Sequence, residues 1–409
     1  MENSSFGLTV RAASMWLLII SIVAVYPSFC LAETNGPWPW TGVYDDKSLT
    51  LLLLGDFNVQ KRDDPTDALV HVRDTLNNAD LVYANLEGLL VKSEGPDKDI
   101  PGKGGWQHLG PEAVQALKAG NIQAVGVANN VAYGPANIMK SLSVLDANGI
   151  VHTGAGGNID EAHQPAIVEK KGVRIGFLQY TAKWYEEEQI AKEDTPGVAR
   201  VLSRDGLTIE PSDLNRLLDD IRRLRPLVDI VIVSSHTRDG QNRTSLSMQS
   251  ETARSIPPSD QDLFSLIPVD RRLTQIEPYQ KELAHAAINA GADVVFGHGC
   301  HMLQAVEVYR GKPIAHCLGN FASDWIRVRN YKDGMVARVV VQEKEVKRVS
   351  LVPVTRDDDS NNVLMLDPSE GKGAELFQEL KDLSPGVPMK IDGREIVLIE
   401  KREPAASPD

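Results

Sequence analysis

Two histidines close an apolar run in the stretch DVVFGHGCH, with only Gly299 and Cys300 between His298 and His301. A neutral imidazole is the commonest metal ligand in proteins, and it also serves as a general acid or base. Histidine is not among the residues that favour turns, so its position here indicates chemistry rather than backbone geometry. What the pair does depends on which other side chains reach the same place.

Further apolar runs also end in oxygen or nitrogen donors. In α/β proteins, ligands bind beyond the carboxyl ends of the strands, so donors at these ends are expected to converge. The donors are those of Asp56, Glu87, Asn129–Asn130, His236 and Asn320.

A pair of divalent metal ions suits this mixture of donors. Two ions about 3.5–4 Å apart need a bridging carboxylate together with further carboxylate, amide or imidazole ligands. Such a set favours Mn, Fe or Zn over Mg and Ca, which prefer shells of oxygen alone. The sequence therefore predicts two divalent ions of the Mn, Fe or Zn class as cofactors.

The elements that must position these donors alternate along the chain. Short apolar runs such as SLTLLLLGD and VDIVIVSSH indicate buried strands, and amphipathic stretches such as PYQKELAHAAINAGA indicate helices between them. Helical crossovers between buried strands predict an α/β protein. The runs GMVARVVVQ and VKRVSLVPV are typical of an antiparallel pair, so mixed sheets are expected.

Four segments are predicted along the chain. Residues 1–32 are interpreted as a signal peptide, because Arg11 precedes an apolar core shorter than the roughly 20 residues of a membrane span. Residues 33–48 form a linker, 49–356 the main domain, and 357–409 a C-terminal extension with a helix, a hairpin and a disordered tail. We expect export to the periplasm, the cell envelope or the extracellular space. Retention by an uncleaved N-terminal anchor is the alternative.

The net charge of the chain limits the classes of molecule that it can bind. A formal net charge of -13 argues against nucleic acid, because binding to its phosphates needs clustered Lys and Arg. It does not exclude an anionic substrate, because a bound metal ion reverses the charge locally.

Three smaller features carry expectations of their own. Beyond the predicted signal peptide the cysteines are Cys300 and Cys317, which either form one disulfide or remain two buried thiols. The acidic stretch YEEEQIAKED (185–194) is interpreted as a solvated helix. The stretch from Thr237 to Glu277 has weak periodicity, and loops of that length in compact domains are usually lids or binding loops.

Several motifs together resemble a known family. LLGD, NLEG, ANN, GAGGN, GADVVFGHGCH and LQAVEVYRGKPIAHCLGNF follow one another over residues 49–325. They are similar to the CapA family of poly-γ-glutamate biosynthesis proteins, which have a calcineurin-like metallophosphatase fold. The resemblance implies a four-layer αββα sandwich with mixed sheets.

The resemblance also assigns roles to the strand-end residues. It makes Asp56 a terminal ligand of the first ion together with His301, and Glu87 the bridging carboxylate. The second ion is assigned to the three ligands Asn130, His236 and His298. Three asparagines complete the implied site: Asn129 as the alternative to Asn130, Asn320 as a residue that shapes the site, and Asn58 where the wider superfamily has a histidine.

Two departures from the family pattern concern catalysis. The family motif NNH ends in Val131 here, and valine cannot protonate a leaving group, a contribution worth about 10²–10⁴ in rate. The second motif, SSHTRDG, keeps His236 but lacks the aromatic neighbour. His152 and Arg238 are the nearest candidates to replace the missing histidine, so the candidate catalytic residues are His236, His152 and Arg238.

The implied function is a role in making poly-γ-glutamate or another capsule or cell-envelope polymer. The expected chemistry is metal-dependent hydrolysis or transfer at an ester or amide, on an anionic polymer or a phosphate or amide substrate. The expected partner is a membrane-bound capsule synthesis complex, and no nucleic acid is expected. Two alternatives stay open: a phosphoesterase unrelated to capsule, and a polymer-binding module whose catalysis is impaired by the loss of the motif histidine.

Overall fold

The apolar runs of the sequence form the strands of two large mixed sheets. The computed structural model describes residues 37–42, 45–92, 94, 106–203, 207–237, 274–325 and 331–401. The strands are β1 (Leu49–Asn58), β2 (Leu81–Leu86), β3 (Ile122–Gly126), β4 (Val151–Thr153), β5 (Ala155–Gly156), β6 (Ala166–Lys170), β7 (Val173–Thr181), β8 (Gly197–Val198), β9 (Ile230–His236), β10 (Val294–His298), β11 (Val306–Tyr309), β12 (Lys312–Ala315), β13 (Asn320–Ser323), β14 (Gly334–Gln342), β15 (Glu345–Arg356), β16 (Val363–Met365), β17 (Lys390–Asp392) and β18 (Glu395–Glu400). The α-helices are α1 (Arg73–Asn77), α2 (Val114–Ala119), α3 (Pro135–Ala147), α4 (Ile159–Ala162), α5 (Pro211–Leu224), α6 (Pro278–Ala290) and α7 (Gly371–Leu383). Short 3-10 helices span Pro65–Leu69, Pro111–Ala113, Glu187–Gln189 and Arg225–Leu227.

The larger sheet is antiparallel from β17 to β1 and parallel from β1 to β4, whereas the smaller sheet has a parallel centre and antiparallel edges. Within the described residues, ten strands form the larger sheet, in the order β17-β18-β15-β14-β1-β2-β3-β4, with β13 paired to β1 and β16 to β15. Six strands form the smaller sheet, in the order β11-β12-β10-β9-β7-β6, and β5 pairs with β8 separately. Strands β14 and β15 pair antiparallel, with Val339 opposite Val349, as their sequence predicts.

The inner layer of apolar side chains joins the two sheets face to face. Leu51 and Leu53 of β1 belong to the same buried cluster as Phe177 of β7 and Phe296 of β10. The ring of Tyr83 stacks on Phe177 with centroids 4.7 Å apart and meets the edge of Phe296 at 5.7 Å. This aromatic contact belongs to the core that the two sheets enclose.

Helices cover the outer face of each sheet. Because side chains alternate along a strand, Leu52 and Leu54 of β1 face the other way from Leu51 and Leu53 and pack with residues of α1, α2 and α3. On the smaller sheet, the outer residues of β9 and β10 pack with α5 and α6. Both faces of these strands are therefore buried, and the predicted four-layer αββα arrangement with mixed sheets is confirmed.

Helix α6 shows how the sequence sets the position of a site strand. It begins after Glu277, which forms a capping box with Gln280, and Pro278 occupies its first turn. It ends at Ala290, and the capping residue Gly291 has a φ of 123°, which favours glycine. The turn that follows leads directly into β10, which carries His298 at its end.

The first described residues pack against the last strands. Thr41 N donates a hydrogen bond to Glu395 Oε2 at 2.7 Å, and Arg338 Nη1 donates to Thr41 O at 2.8 Å. Arg348, which is fully buried, donates to Glu400 Oε1 at 2.7 Å. Paired in this way, the buried charges avoid the large free energy of an isolated charge in the interior. Both ends of the described chain are thus held to the larger sheet.

Several predictions lie outside the described residues. These are the signal peptide at 1–32, Arg238, most of the stretch from Thr237 to Glu277, and the end of the C-terminal tail. In the parts of the chain that the structure describes, no helix has both the length and the apolar character needed to cross a membrane.

Candidate metal centre

The predicted donors meet at the carboxyl ends of parallel strands, except Asn320, which begins β13. Asp56 in β1 aligns with Asn85 in the neighbouring β2 and with Asn320 in β13. In the smaller sheet, His236 at the end of β9 aligns with His298 at the end of β10. The two sheets therefore bring donors to one shared edge.

Two groups of buried donors form there, and Asp56 belongs to both. One group is Asp56, His236 and His298, and the other is Asp56, Glu87 and His301. Within each group the candidate ligand atoms all lie within 4.8 Å of one another, which is close enough to hold a metal ion.

The distances show how the Asp56 carboxylate spans the two groups. Its Oδ1 lies 4.0 Å from His236 Nδ1 and 3.8 Å from His298 Nδ1. Its Oδ2 lies 3.4 Å from His301 Nδ1, and His301 Nε2 lies 3.9 Å from Glu87 Oε1. The resemblance gives the bridging role to Glu87, whereas the geometry makes Asp56 the carboxylate that both groups share.

The side chain of Asn130 supports a metal at this edge. It is fully buried, and neither its Oδ1 nor its Nδ2 has a hydrogen-bond partner among the described residues. Leaving a buried amide unpaired is unfavourable unless a further group binds it. Its neighbour Asn129 donates to Asn85 Oδ1 at 3.3 Å, and Asn85 in turn donates to Asp56 Oδ1 at 2.7 Å. Asn130 is thus the residue next to Asn129, which is linked through Asn85 to the shared carboxylate of Asp56.

Histidine chemistry also fits metal binding. Burial lowers the pKa of His298 to about 3, so its imidazole is neutral near pH 7, the form that binds metals. The Nδ1 of His301 lies 3.1 Å from Asn320 Oδ1, and Asn320 Nδ2 donates to Tyr331 O at 2.6 Å. Because an amide oxygen can only accept, His301 carries its proton on Nδ1 and presents the lone pair of Nε2 on the side of Glu87.

The tight turn between the two histidines in GHGCH requires glycine at position 299. Gly299 has a φ of 88°, and its N–H donates to Asp56 Oδ2 at 3.0 Å. A Cβ placed on it would lie 2.6 Å from ring atoms of His236, so no larger residue fits. His301 itself has a φ of 63°, which turns the chain back at this point.

A disulfide between Cys300 and Cys317 braces the same turn. Of the two states that the sequence left open, the structure has the bridge. Because Cys300 precedes His301 and Cys317 lies three residues before Asn320, the bond ties together the two segments whose side chains meet.

Two residues at the centre, Gln179 and Asn85, were not predicted from the sequence. Gln179 of β7 donates to Asn85 Oδ1 at 2.8 Å, and its Nε2 lies 3.0 Å from His298 Nε2. Gly126 leaves room for it, because a Cβ there would lie 1.5 Å from Gln179 Oε1. The available signal was a single amide near the end of the apolar run VRIGFLQY, and a partner amide two residues before Glu87.

The remaining asparagines play supporting parts. Asn58 Nδ2 donates to the main-chain oxygen of Glu87 at 2.7 Å, and its Oδ1 accepts from Gln60 Nε2 at 2.8 Å. Asn129 Nδ2 donates to Leu86 O at 2.8 Å. Their amides are engaged with the loops that carry the donors, which leaves Asn130 as the better ligand candidate of the adjacent pair.

Of the two candidate replacements for the motif histidine, the one that the structure describes, His152, is not brought to this centre. His152 aligns with Val125, which packs against the helices on the outer face of the larger sheet. The ring of His152 therefore lies on that outer face, where its Nε2 is 3.2 Å from Asp146 Oδ1. Arg238 lies outside the described residues. Val131 is fully buried in an apolar cluster with Trp106, and Tyr185 packs against them. The position of the motif histidine is therefore filled by packed apolar groups.

Comparison with known proteins places the chain in a family. Residues 50–257 and 269–325 match the family described as bacterial capsule synthesis protein PGA_cap. The PGA biosynthesis protein CapA of Bacillus subtilis is 27% identical over 346 residues, which cover 78% of this chain and 77% of that protein. The capsule biosynthesis protein CapA of Bacillus anthracis is 24% identical over 349 residues, 80% of this chain and 75% of that protein.

A more distant match is a probable polyglutamine synthesis accessory protein of Mycobacterium tuberculosis, 26% identical over 223 residues, 53% of this chain and 50% of that protein. A hypothetical protein from Thermus thermophilus matches in structure with a TM-score of 0.41 and 14% identity, over 75% of this chain and 98% of that one, which is too loose to bear on function. On the match of its main domain, the chain belongs to the CapA family of bacterial capsule synthesis proteins.

Proposed function

We propose that this protein is an exported, metal-dependent member of its family that hydrolyses or transfers an ester or amide bond while poly-γ-glutamate or another envelope polymer is made. The observation that carries the proposal is the pair of buried donor groups that share Asp56. The names of the two CapA relatives support the polymer and capsule role. The expected partner is a membrane-bound capsule synthesis complex.

Two divalent ions of the Mn, Fe or Zn class are proposed as cofactors. Asp56, Glu87 and His301 would hold one, and the second would be held by Asp56, Asn130, His236 and His298. When bound, such ions lower the pKa of water and offset negative charge at a phosphoryl or acyl centre.

The chain itself prepares the ligands. Asn85 and Gly299 hold the two oxygens of Asp56 through hydrogen bonds of 2.7 and 3.0 Å. Gln179 lies against His298, and Asn320 sets the tautomer of His301. Second contacts of this kind fix the orientation of ligands and tune their basicity.

A second function, polymer binding without turnover, is favoured by one specific observation. Val131 occupies the position of the family histidine and is packed against Trp106 and Tyr185, so it supplies no proton to a leaving group. His152, on the outer face of the sheet, does not replace it. Under this alternative, the metal centre would hold an anionic chain by charge alone.

Turnover assays with a matched pair of variants separate the two functions. The protein, supplied with Mn²⁺ or Zn²⁺, is incubated with poly-γ-glutamate, and chain length is followed by size-exclusion chromatography. Asp56→Ala should abolish cleavage, whereas Asp146→Ala, which removes an exposed carboxylate outside the centre, should not. Retention of the polymer with unchanged chain length would favour the binding function, and turnover undiminished in Asp56→Ala would contradict the proposed centre.

A further inference from the structure

We propose that Gln189 is a positioning residue that holds Asn130 in place as a metal ligand. The inference rests on the proposed metal centre and extends it to a segment with no donor in either group. The sequence interpretation of this segment, a solvated helix, is replaced by one 3-10 turn, Glu187–Gln189, in which Gln189 is fully buried.

The side chain of Gln189 joins two loops. Its Nε2 donates to Asn130 O and to Ala132 O, both at 3.0 Å. Its Oε1 accepts from Tyr185 N at 2.7 Å and from Glu186 N at 3.1 Å. The amide thus uses both of its donor hydrogens and both acceptor positions, so its orientation is fixed.

Asn130 needs such a brace because its own side chain makes no hydrogen bond to any part of the chain that the structure describes. Only its backbone can hold it in place before an ion binds. Gln189 fixes the carbonyls of Asn130 and Ala132, and Asn129 Oδ1 accepts from Val131 N at 3.2 Å. The main chain of three successive residues, 130–132, is therefore held by hydrogen bonds, which preorganises the side-chain amide of Asn130.

Apolar packing reinforces the same junction. Tyr185, at the start of the bracing segment, packs against Val131 and Trp106. The valine that replaces the family histidine therefore has a role in this arrangement, because it seats the Asn130 loop against the Gln189 segment.

The Gln189→Glu variant tests the donor function of the side chain. It keeps the acceptor oxygens for Tyr185 N and Glu186 N but offers no N–H to Asn130 O and Ala132 O. Gln189→Met removes the same donors without adding charge. Gln164→Glu is the matched control, because Gln164 is exposed and its Nε2 makes a single long hydrogen bond, 3.3 Å, to Asp160 O.

Metal-free protein is titrated with Zn²⁺ or Mn²⁺ against a chelator, and bound metal is counted by elemental analysis. Gln189→Glu and Gln189→Met should each lower the affinity for one of the two ions by about 10- to 100-fold, the range seen when supporting contacts of ligands are lost. The affinity for the other ion should stay at the value of the parent. The Gln164→Glu control should bind both ions with the affinity of the parent. A melting curve of each metal-free variant shows whether the fold is intact.

A double-mutant cycle separates positioning from a general structural role. If Gln189 acts through Asn130, then Gln189→Glu should add little to the loss already caused by Asn130→Ala. Equal affinities in the parent and both Gln189 variants would overturn the inference, as would a full additive loss in the Asn130→Ala background. A parent that binds no metal at all would instead overturn the proposed function, and the inference with it.

Discussion

His301 and Asn320 hold each other 3.1 Å apart across the segment closed by the Cys300–Cys317 disulfide. The contact decides which nitrogen of His301 could bind a metal, because Asn320 Oδ1 accepts a hydrogen bond from Nδ1–H and Nε2 is then the unprotonated nitrogen. The candidate ligand His301 is thus oriented by a residue that belongs to neither donor group.

Replacing Asn320 should therefore weaken metal binding without removing a ligand. Asn320→Ala is expected to lower the affinity for one ion by about 10- to 100-fold. Asn320→Asp, which keeps an acceptor oxygen next to His301 Nδ1, should lose much less. Zn²⁺ titration of the metal-free variants measures this, and equal losses in the two variants would argue against control of the tautomer.

Gly299 should tolerate no side chain. Gly299→Ala combines a positive φ with a Cβ 2.6 Å from the ring of His236, so the ring must shift and metal affinity should fall. Gly172→Ala is the matched control, because Gly172 has a similar φ of 73° but nothing within 4 Å of a Cβ.

Urea unfolding and metal content distinguish the two glycines. Gly172→Ala should lower the free energy of unfolding by about 1–2 kcal/mol, the strain of a left-handed alanine, and leave metal content unchanged. Gly299→Ala should lose both more stability and bound metal. The same small effect in both variants would contradict the close approach of the His236 ring.

Stability of the metal-free protein should depend on pH through His298. Its pKa is about 3 in the folded protein because burial disfavours the charged ring, against about 6.5 for an unperturbed histidine. Between these values the unfolded chain binds a proton that the folded protein does not. The free energy of unfolding should therefore rise with pH by up to about 1.4 kcal/mol per pH unit and level off above about pH 6.5.

Urea unfolding from about pH 4 to about pH 7 measures this slope. His298→Gln should make the slope shallower, whereas His152→Gln, on the outer face of the sheet, should leave it unchanged. An equally steep slope in His298→Gln would show that other groups carry the dependence.

The disulfide should stabilise both the fold and the centre. Closing a loop of this size, with the cysteines 17 residues apart in sequence, restricts the unfolded chain and is worth about 3 kcal/mol. Cys300→Ser with Cys317→Ser should lose about that much in urea unfolding, and a reductant should then have no further effect. Undiminished stability in the double variant would contradict a structural role for the bond.

The donors that end apolar runs could be predicted, because strand ends in an α/β fold converge whatever the detailed register. Asp56, His236, His298 and His301 are of this kind, and the structure brings them together. The four-layer fold followed from the alternation of strands and helices together with the family resemblance.

What could not be predicted depends on register and packing. The sharing of Asp56 rather than Glu87 between the two groups follows from how the strands align, including an irregularity between Leu53 and Asp56. Gln179 lies before the end of its strand, where a lone amide gives no distinguishing signal. His152 could not be excluded either, because its distance from the centre depends on which face of the sheet it occupies.

Elemental analysis of the purified protein measures whether Asp56 and His298 hold transition metal. The parent should carry about two equivalents of Mn, Fe or Zn, and Asp56→Ala with His298→Ala should lose nearly all of it. Asp146→Ala with His152→Ala removes the same two groups away from the centre and should keep the metal of the parent. A parent without transition metal, or one whose metal content survives loss of Asp56 and His298, would rule out the proposed metal centre.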